Sequence, residues 1–362
     1  MKTAHRIWAI RDVYGVAKSP FVLLIFLLNT LCFNDVLCLS VGSNTVPSRQ
    51  NSVTFLRIDS DNTMLGFAAF ENGFVLQSST TTCTFDDFFP VSGTVNFRGG
   101  RLHLKKDLLF DKGLNITNSG SIFATNYSIE FGKLITDLRL STSLTFDSAT
   151  LVFNADAKIR APLICRNSCK INGRGKRLTF ENAGTITVWP GGNLIIEDTE
   201  LWQLNKNDLR CLTDRGSITF KNCVLSLSQD FTYSQGSLLF QNDVVITGTN
   251  KFIYTTGLTS TIDSGAVLMF DCCTTFSYAP RLPKTNLLYM TDATSNLYLN
   301  GCTLYSTKTG LVLSTGTLTV DDRVTLTSDA VYYANALRLS SNLAVNIRGM
   351  ATLGMYGTIR YD

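Results

Sequence analysis

The sequence predicts an all-β solenoid, a parallel β-helix of about ten coils, and three observations carry that prediction. First, the stretch from Ser217 to Asn242 holds one short phrase twice: a small residue, two apolar residues flanking a third of any kind, one free position, and Asn. The copies are Ser217, Ile218, Phe220, Asn222 and Ser237, Leu238, Phe240, Asn242. Second, the phrase recurs as Leu194, Ile196, Asp198; Val267, Met269, Asp271; Leu297, Leu299, Gly301; and Leu318, Val320, Asp322. The copies start at 193, 217, 237, 266, 296 and 317. Such uneven steps, each roughly 20 to 30 residues long, belong to solenoids and not to heptads. Third, apolar residues alternate inside each copy, which turns one face of a short strand inward. Phe220 and Phe240 are then inward residues.

The segments between copies are rich in Gly, Asn, Asp, Ser and Thr, which supply turns. A parallel crossover usually takes a helix of about a dozen residues or more, yet these returns show no helical period. A coil of two or three strands joined by bends meets both facts, each coil pairing with the next at about 4.8 Å. Upstream copies are looser: Ile122 with Asn126, Leu144 with Phe146, and Leu178, Phe180, Asn182. The interval from 177 to 193 is too short for a coil, so those two copies belong to different faces of one turn.

The position after each strand is Asn182, Asp198, Asn222, Asn242, Asp271, Gly301 and Asp322. These residue types tolerate left-handed backbone, and stacked coil on coil they read as one ladder at one bend. On these residues the chain resembles, over roughly 93–362, the pectin-lyase-like right-handed parallel β-helix superfamily. The resemblance is one of architecture. It implies right-handed winding, as does the rule for parallel crossovers.

Around the array lie two other regions. Residues 1–40 read as an export signal or membrane anchor: Lys2, Arg6, Arg11 and Lys18 precede the apolar run Phe21 to Leu28, which Asn29 interrupts, and Cys38 and Ser40 are small enough for cleavage before Val41. Residues 41–92 are irregular, end in Phe85, Phe88 and Phe89 before Pro90, and read as an N-terminal cap over an otherwise open sheet edge. At the far end Met350 to Asp362 either folds over the last coil or leads into something longer. The protein is expected to be exported, secreted or on the cell surface, touching a membrane only through its N-terminal segment. The net charge is +4, and four leader cations against Asp12 and Asp35 supply +2 of it. The remaining +2 argues against nucleic-acid binding by bulk charge.

Chemistry is sparse. Two carboxylates flanking one bond would be needed for glycoside hydrolysis; the candidates are Glu181, Glu197 and Glu200, with the pairs Asp86 and Asp87, and Asp321 and Asp322. Two hydrolase signatures that the resemblance would bring, an Asp pair after Gly and a Gly-His-Gly, are missing from the sequence. Two histidines, His5 and His103, and no paired CxxC leave no zinc pattern, and no cofactor or catalytic residue is assigned. Cys272 and Cys302 follow equivalent turn residues in adjacent copies, so either a cross-coil disulfide or a stack of buried thiols fits, with Cys223 in the same column. Cys165 and Cys169, four apart in a loop, could form a local bridge.

The strongest composition shift runs from Ala157 to Phe180, with Lys158, Arg160, Arg166, Lys170, Arg174, Lys176 and Arg177 and no acid. This reads as an excursion from the coil. Its basic residues Arg160, Arg166, Lys170, Arg174, Lys176 and Arg177 are the expected binding set for an anionic polysaccharide. A second excursion, Ala279 to Ser295, reads as a plain surface loop. Trp189, Trp202, Tyr233, Tyr254 and Tyr278 could stack on sugar rings, or pack. The expected function is that of an exported surface or structural protein, adhesive or scaffold-like, that binds anionic glycans or a surface protein. The alternatives are a polysaccharide lyase or glycoside hydrolase of the same superfamily, and a passenger module of a larger secretion system.

Overall fold

The structure is a computed structural model and describes residues 38–41, 55–58, 62–64, 72–140, 142–281, 286–307, 310–328, 337–349, 352–356 and 359–361. Those residues form an all-β parallel solenoid of about 12 turns, somewhat more than the copies in the sequence suggest. Every strand pairing in it is parallel, and partners lie one coil apart, as with Asn193, Ser217 and Ser237.

One turn shows the plan. The chain runs along Ala157–Ile159, bends, runs along Pro162–Arg166, bends at Asn167, and enters the long strand Ser168–Phe180. Within that strand the ladder slips between Asn172 and Lys176, where a bend turns the chain, and Leu178 comes to pair with Ala157. Each turn therefore has three faces: a first sheet containing Ala157–Ile159, a second containing Pro162–Arg166, and a third containing the first half of Ser168–Phe180. Alternation does the rest, because each strand sends every other side chain into the interior. Phe110, Phe131 and Phe153 stack inside the third sheet with ring centroids 5.8 and 4.7 Å apart. Phe220 and Phe240 continue that face at 6.1 Å, both buried as the sequence predicts. Tyr254 on Tyr278, at 5.7 Å, fills the second.

The copies starting at 193, 217 and 237 do stack in register on the third sheet. The copies at 266, 296 and 317 stack with one another on the first sheet instead. The strand that follows Ser237–Thr247 on the third sheet is Ser260–Ile262, which carries no recognisable phrase. The copy at 266 is also one residue out of phase: Leu268 pairs with Leu297, and Leu268 and Phe270 are buried while Val267 and Met269 face outward. A slip of one residue exchanges the two faces of a strand, and the run Val267–Phe270, apolar at every position, hides which is which. The copies at 177 and 193 do lie on different faces, since Leu178 pairs with Leu201 and Cys169 with Leu194.

The single ladder expected from the turn residues is two ladders at two bends. Between third and first sheets stand Arg174, Asp198, Asn222 and Asn242, with φ of 50°, 49°, 51° and 54°. Here the Asn222 amide donates to Asp198 Oδ1 at 2.9 Å. Between first and second sheets stand Asn182, Gln203, Gly248, Cys273, Gly301 and Asp322, all with positive φ. Asp271 is not left-handed; Cys273 takes that role, and Asp271 accepts the Asn300 amide at 2.7 Å.

The first expected excursion does not leave the coil. Residues 157–180 are one ordinary turn, with Ala157 and Leu178 as partners. The second includes the third-sheet strand Leu288–Met290, paired with Ser260–Ile262, and residues 282–285 lie outside the described residues. The segment 41–92 carries coil strands of its own: Gly73–Leu76 pairs with Thr94–Asn96, Thr82–Phe85 with Arg101–Leu104, and Phe89–Val91 with Leu108–Phe110. Cys38–Val41, where cleavage is expected, is a strand paired with Phe55–Ile58, and the leader up to residue 37 lies outside the described residues. Thr352–Tyr356 and Ile359–Tyr361 continue the parallel pairing at the other end.

Replacing inward Phe220 by Asp is expected to abolish cooperative thermal unfolding, because the new carboxylate has no partner between coils. Asn222→Ala removes a ladder hydrogen bond and puts a Cβ without polar compensation at positive φ, so urea titration is expected to show a loss of about 1–2 kcal/mol. Asn222→Gly should lose less, and equal stabilities for the parent and the Ala variant would remove the ladder from the account.

Candidate functional site

The fold places the expected basic set around the whole circumference of one turn. Arg160 is at the bend between first and second sheets, Arg166 ends the second, Lys170 lies on the third, Arg174 at the next bend, and Lys176 and Arg177 on the first. They form a girdle and do not converge. Neighbouring coils also supply the acids that the local sequence lacks. Arg160 makes a fork on Glu181 at 2.7 and 3.0 Å and reaches Asp137 at 3.3 Å, while Lys158 meets Glu181 at 2.9 Å. Lys170 meets Glu197 at 2.6 Å, Arg177 meets Glu200 at 3.0 Å, and Arg174 approaches Glu130 at 3.7 Å. Lys176 has no salt bridge among the described residues.

The same contacts decide the fate of the candidate acids. Glu181 is held below its ordinary carboxylate value, first by its hydrogen bond from Lys158 and then by Arg160. Glu197 also accepts the Asn172 amide at 2.7 Å and has Lys221 at 3.9 Å. Glu181 stands at the bend after the first sheet, Glu197 ends a third-sheet segment, and Glu200 begins a first-sheet one, so no two flank a common space. A general acid needs a raised pKa near its operating pH, and the cationic partners of Glu181 push it the other way. Asp86 is paired with Lys105 at 3.6 Å.

Cysteines form no disulfide among the described residues. Cys223 and Cys302 are buried, and burial pushes each thiol up to about 12. The expected cysteine column does not form: Cys223 pairs with Val244 on the first sheet, Cys302 directly precedes the second-sheet strand Thr303–Ser306, and Cys272 and Cys273 are exposed at the bend. Cys165 and Cys169 flank the bend at Asn167 as free, buried thiols; the hydrogen bond between them and burial push Cys165 well above its ordinary value. Among the described residues no three His, Cys, Asp or Glu side chains gather closely enough to hold a metal ion. One pocket, at the C-terminal coils, is lined by Leu, Val and Ile alone, including Leu299, Leu326 and Val345.

Tyr233, Tyr254 and Tyr278 are interior residues, whereas Trp189 and Trp202 lie outside, each beneath a guanidinium: Arg166 at 4.5 Å and Arg177 at 4.3 Å. Trp189 ends a feature that sequence reading does not bring together. Along the outer side of the second sheet, His103 pairs with Phe123, Phe123 with Asp147, and Asp147 with Arg166, over which Trp189 lies on the next coil. The His103 and Phe123 rings stack at 4.6 Å. Asp147 is tied to the Asn167 amide at 2.6 Å and not to Arg166, and no salt bridge of Arg166 occurs among the described residues. Burial first, then Arg101, lowers the His103 pKa, so this ring is neutral at pH 7. The signal in the sequence is a polar or aromatic residue one step out of phase with an apolar one, once in every coil. It is visible only once the register is known. No protein-family model, no curated protein and no solved structure matches the chain.

Asp208, at the bend before Leu209–Cys211, accepts the backbone N–H of Asn205 at 2.7 Å, and burial raises its pKa to about 6. A carboxyl with a raised folded-state pKa binds its proton better in the folded chain. Stability therefore falls as pH rises from about 4 to about 6. Asp208→Asn is expected to stabilise the protein at pH 7 by up to about 2 kcal/mol and to be neutral near pH 3, read from urea midpoints at both pH values.

Proposed function

We propose that the protein is a non-enzymatic, exported surface scaffold that makes adhesive contact with glycans through the outer column His103, Phe123, Arg166 and Trp189. The observation that carries this reading is the column itself, which presents aromatic and cationic groups on one sheet, interrupted on one coil by Asp147, whose carboxylate is tied to the Asn167 amide. Flat apolar ring faces stack on the C–H faces of sugars, and a guanidinium without a carboxylate partner is available to an acidic substituent. The scaffold keeps these groups in place without any ordering step on binding, which removes an entropic cost. The basic girdle takes a different role in this reading, because Lys158, Arg160, Lys170, Arg174 and Arg177 are paired with acids of neighbouring coils and only Arg166 contributes to the contact face. Right-handed winding and kinship with the pectin-lyase-like proteins belong to the same proposal, supported by the crossover rule and by the turn ladders.

The test is retention of the full chain on immobilised neutral and anionic polysaccharides, with the chain length of each polymer measured before and after. Retention is expected on anionic polymers, with a loss of about tenfold in affinity for Trp189→Ala or Phe123→Ala at unchanged melting temperature. Because His103 is neutral at pH 7, retention should be flat between pH 7 and 8 and should rise only when the imidazole gains its proton in acid. Shortening of any polymer would overturn the non-enzymatic reading. Retention indifferent to both variants would remove the column from it.

A further inference from the structure

Cys272 and Cys273 are the exposed cysteines among the described residues, and their sulfurs lie 3.3 Å apart. The sequence puts them at a bend where the coils on either side carry Gly248 and Gly301, and the backbone N–H of Cys273 donates to the Gly301 carbonyl at 3.1 Å. Gly248 and Gly301 carry no side chain at this bend, and both thiols are exposed. Cys273 is itself left-handed, with φ of 68°, at a corner where other coils use Gly248, Gly301 and Asp322. A residue with a Cβ and no local carboxamide is disfavoured there, and such outliers concentrate at working sites.

We propose that Cys272 and Cys273 form a two-sulfur chelating site for a soft, thiophilic centre of pyramidal geometry, of which trivalent arsenic is the type. The bite carries the choice. Two bonds of about 2.3 Å to sulfurs 3.3 Å apart enclose an angle of about 90°. A tetrahedral zinc ion with the same bond lengths needs sulfurs about 3.8 Å apart and two further ligands. No third ligand joins the pair within metal-holding reach among the described residues. A trivalent centre that brings its own third substituent needs only the two thiols. Direct oxidation of the pair is less suited to this geometry, since consecutive Cα atoms are about 3.8 Å apart and a relaxed disulfide spans about 4.4 Å or more. Chelation instead leaves the sulfurs at their non-bonded separation. The reaction involves no change of oxidation state: with an arylarsonous acid two S–H bonds and two As–OH bonds break, two As–S bonds form, and two molecules of water leave. Cys272 holds its proton more tightly than an ordinary thiol, through its hydrogen bond with Cys273, then the charge of Cys273, with Asp271 and Asp322 adding to it. Because both thiol protons leave in the water, the equilibrium releases no proton, so affinity should change little from pH 6 to pH 8 while the rate of binding, which depends on thiolate, rises.

The experiment uses the reduced full chain titrated with phenylarsonous acid in excess monothiol, read by native mass and by protection from iodoacetamide. One arsenical per chain is expected, with Cys272 and Cys273 both protected and the adduct reversed by a dithiol. Cys272→Ser and Cys273→Ser should each weaken retention by about 100-fold or more, because one sulfur loses the chelate advantage. Both variants should melt as the parent does, and Cys165→Ser should bind as the parent does. An absent adduct, an adduct that survives in both serine variants, or protection mapping to Cys165 and Cys169 would each overturn the proposal.

Discussion

Everything in this molecule depends on the register in which one coil is laid upon the next. Parallel pairing repeats at about 4.8 Å, so the side chain at a given place on one coil always meets the side chain at the same place on the next. Like then stacks on like or on its complement: Phe131 on Phe153, Tyr254 on Tyr278, Asn222 on Asp198, Arg160 on Glu181. The apolar columns supply most of the stabilisation, since their side chains are almost wholly removed from water. The polar columns decide which register is kept.

The ion pairs illustrate that division. Most join side chains a quarter to a half exposed, such as Lys158 and Glu181 at 48% and 25%, and pairs in that setting contribute little stability. A slip by one residue would nevertheless move Lys170 away from Glu197 and turn the whole apolar set of that strand outward. The girdle at residues 157–177 thus reads as a device that fixes the register where the coil passes from short segments into the continuous strands Ser168–Phe180, Asn193–Leu204 and Ser217–Leu227.

How much of this could be read beforehand follows from the same constraint. The phrase at Ser217 and Ser237 is legible because both copies lie on one face, with Ile218 paired to Leu238 and Phe220 to Phe240. The fold and the burial of those rings follow directly. The copy at Val267 misleads because four apolar residues in a row carry no alternation to reveal phase, and because it belongs to another face. Ladders at two bends merge into one for the same reason: Asn, Asp and Gly mark any left-handed corner, not a particular one. The basic stretch shows the sharpest limit. Seven cations close together in sequence are wound around a circumference, and acids from the coils above and below pair with five of them. Composition along a chain measures the perimeter of a solenoid, whereas a binding surface runs along its axis.

That distinction also explains why the outer column and the paired thiols escape motif reading. His103, Phe123, Asp147, Arg166 and Trp189 are separated by ordinary sequence and become neighbours only through pairing. Cys272 and Cys273 are adjacent in sequence, but what sets them apart is their place at a bend where the neighbouring coils carry Gly248 and Gly301, and the left-handed backbone of Cys273. A cysteine one position further along, at Thr274, would be buried in the interior like Cys302, which directly precedes its second-sheet strand in the following coil. The bend therefore converts the same residue type from a packing element into an accessible one by a shift of a single position. A solenoid offers that choice at every corner, which is how a scaffold whose interior is fixed by register can carry unrelated surface chemistry on different coils.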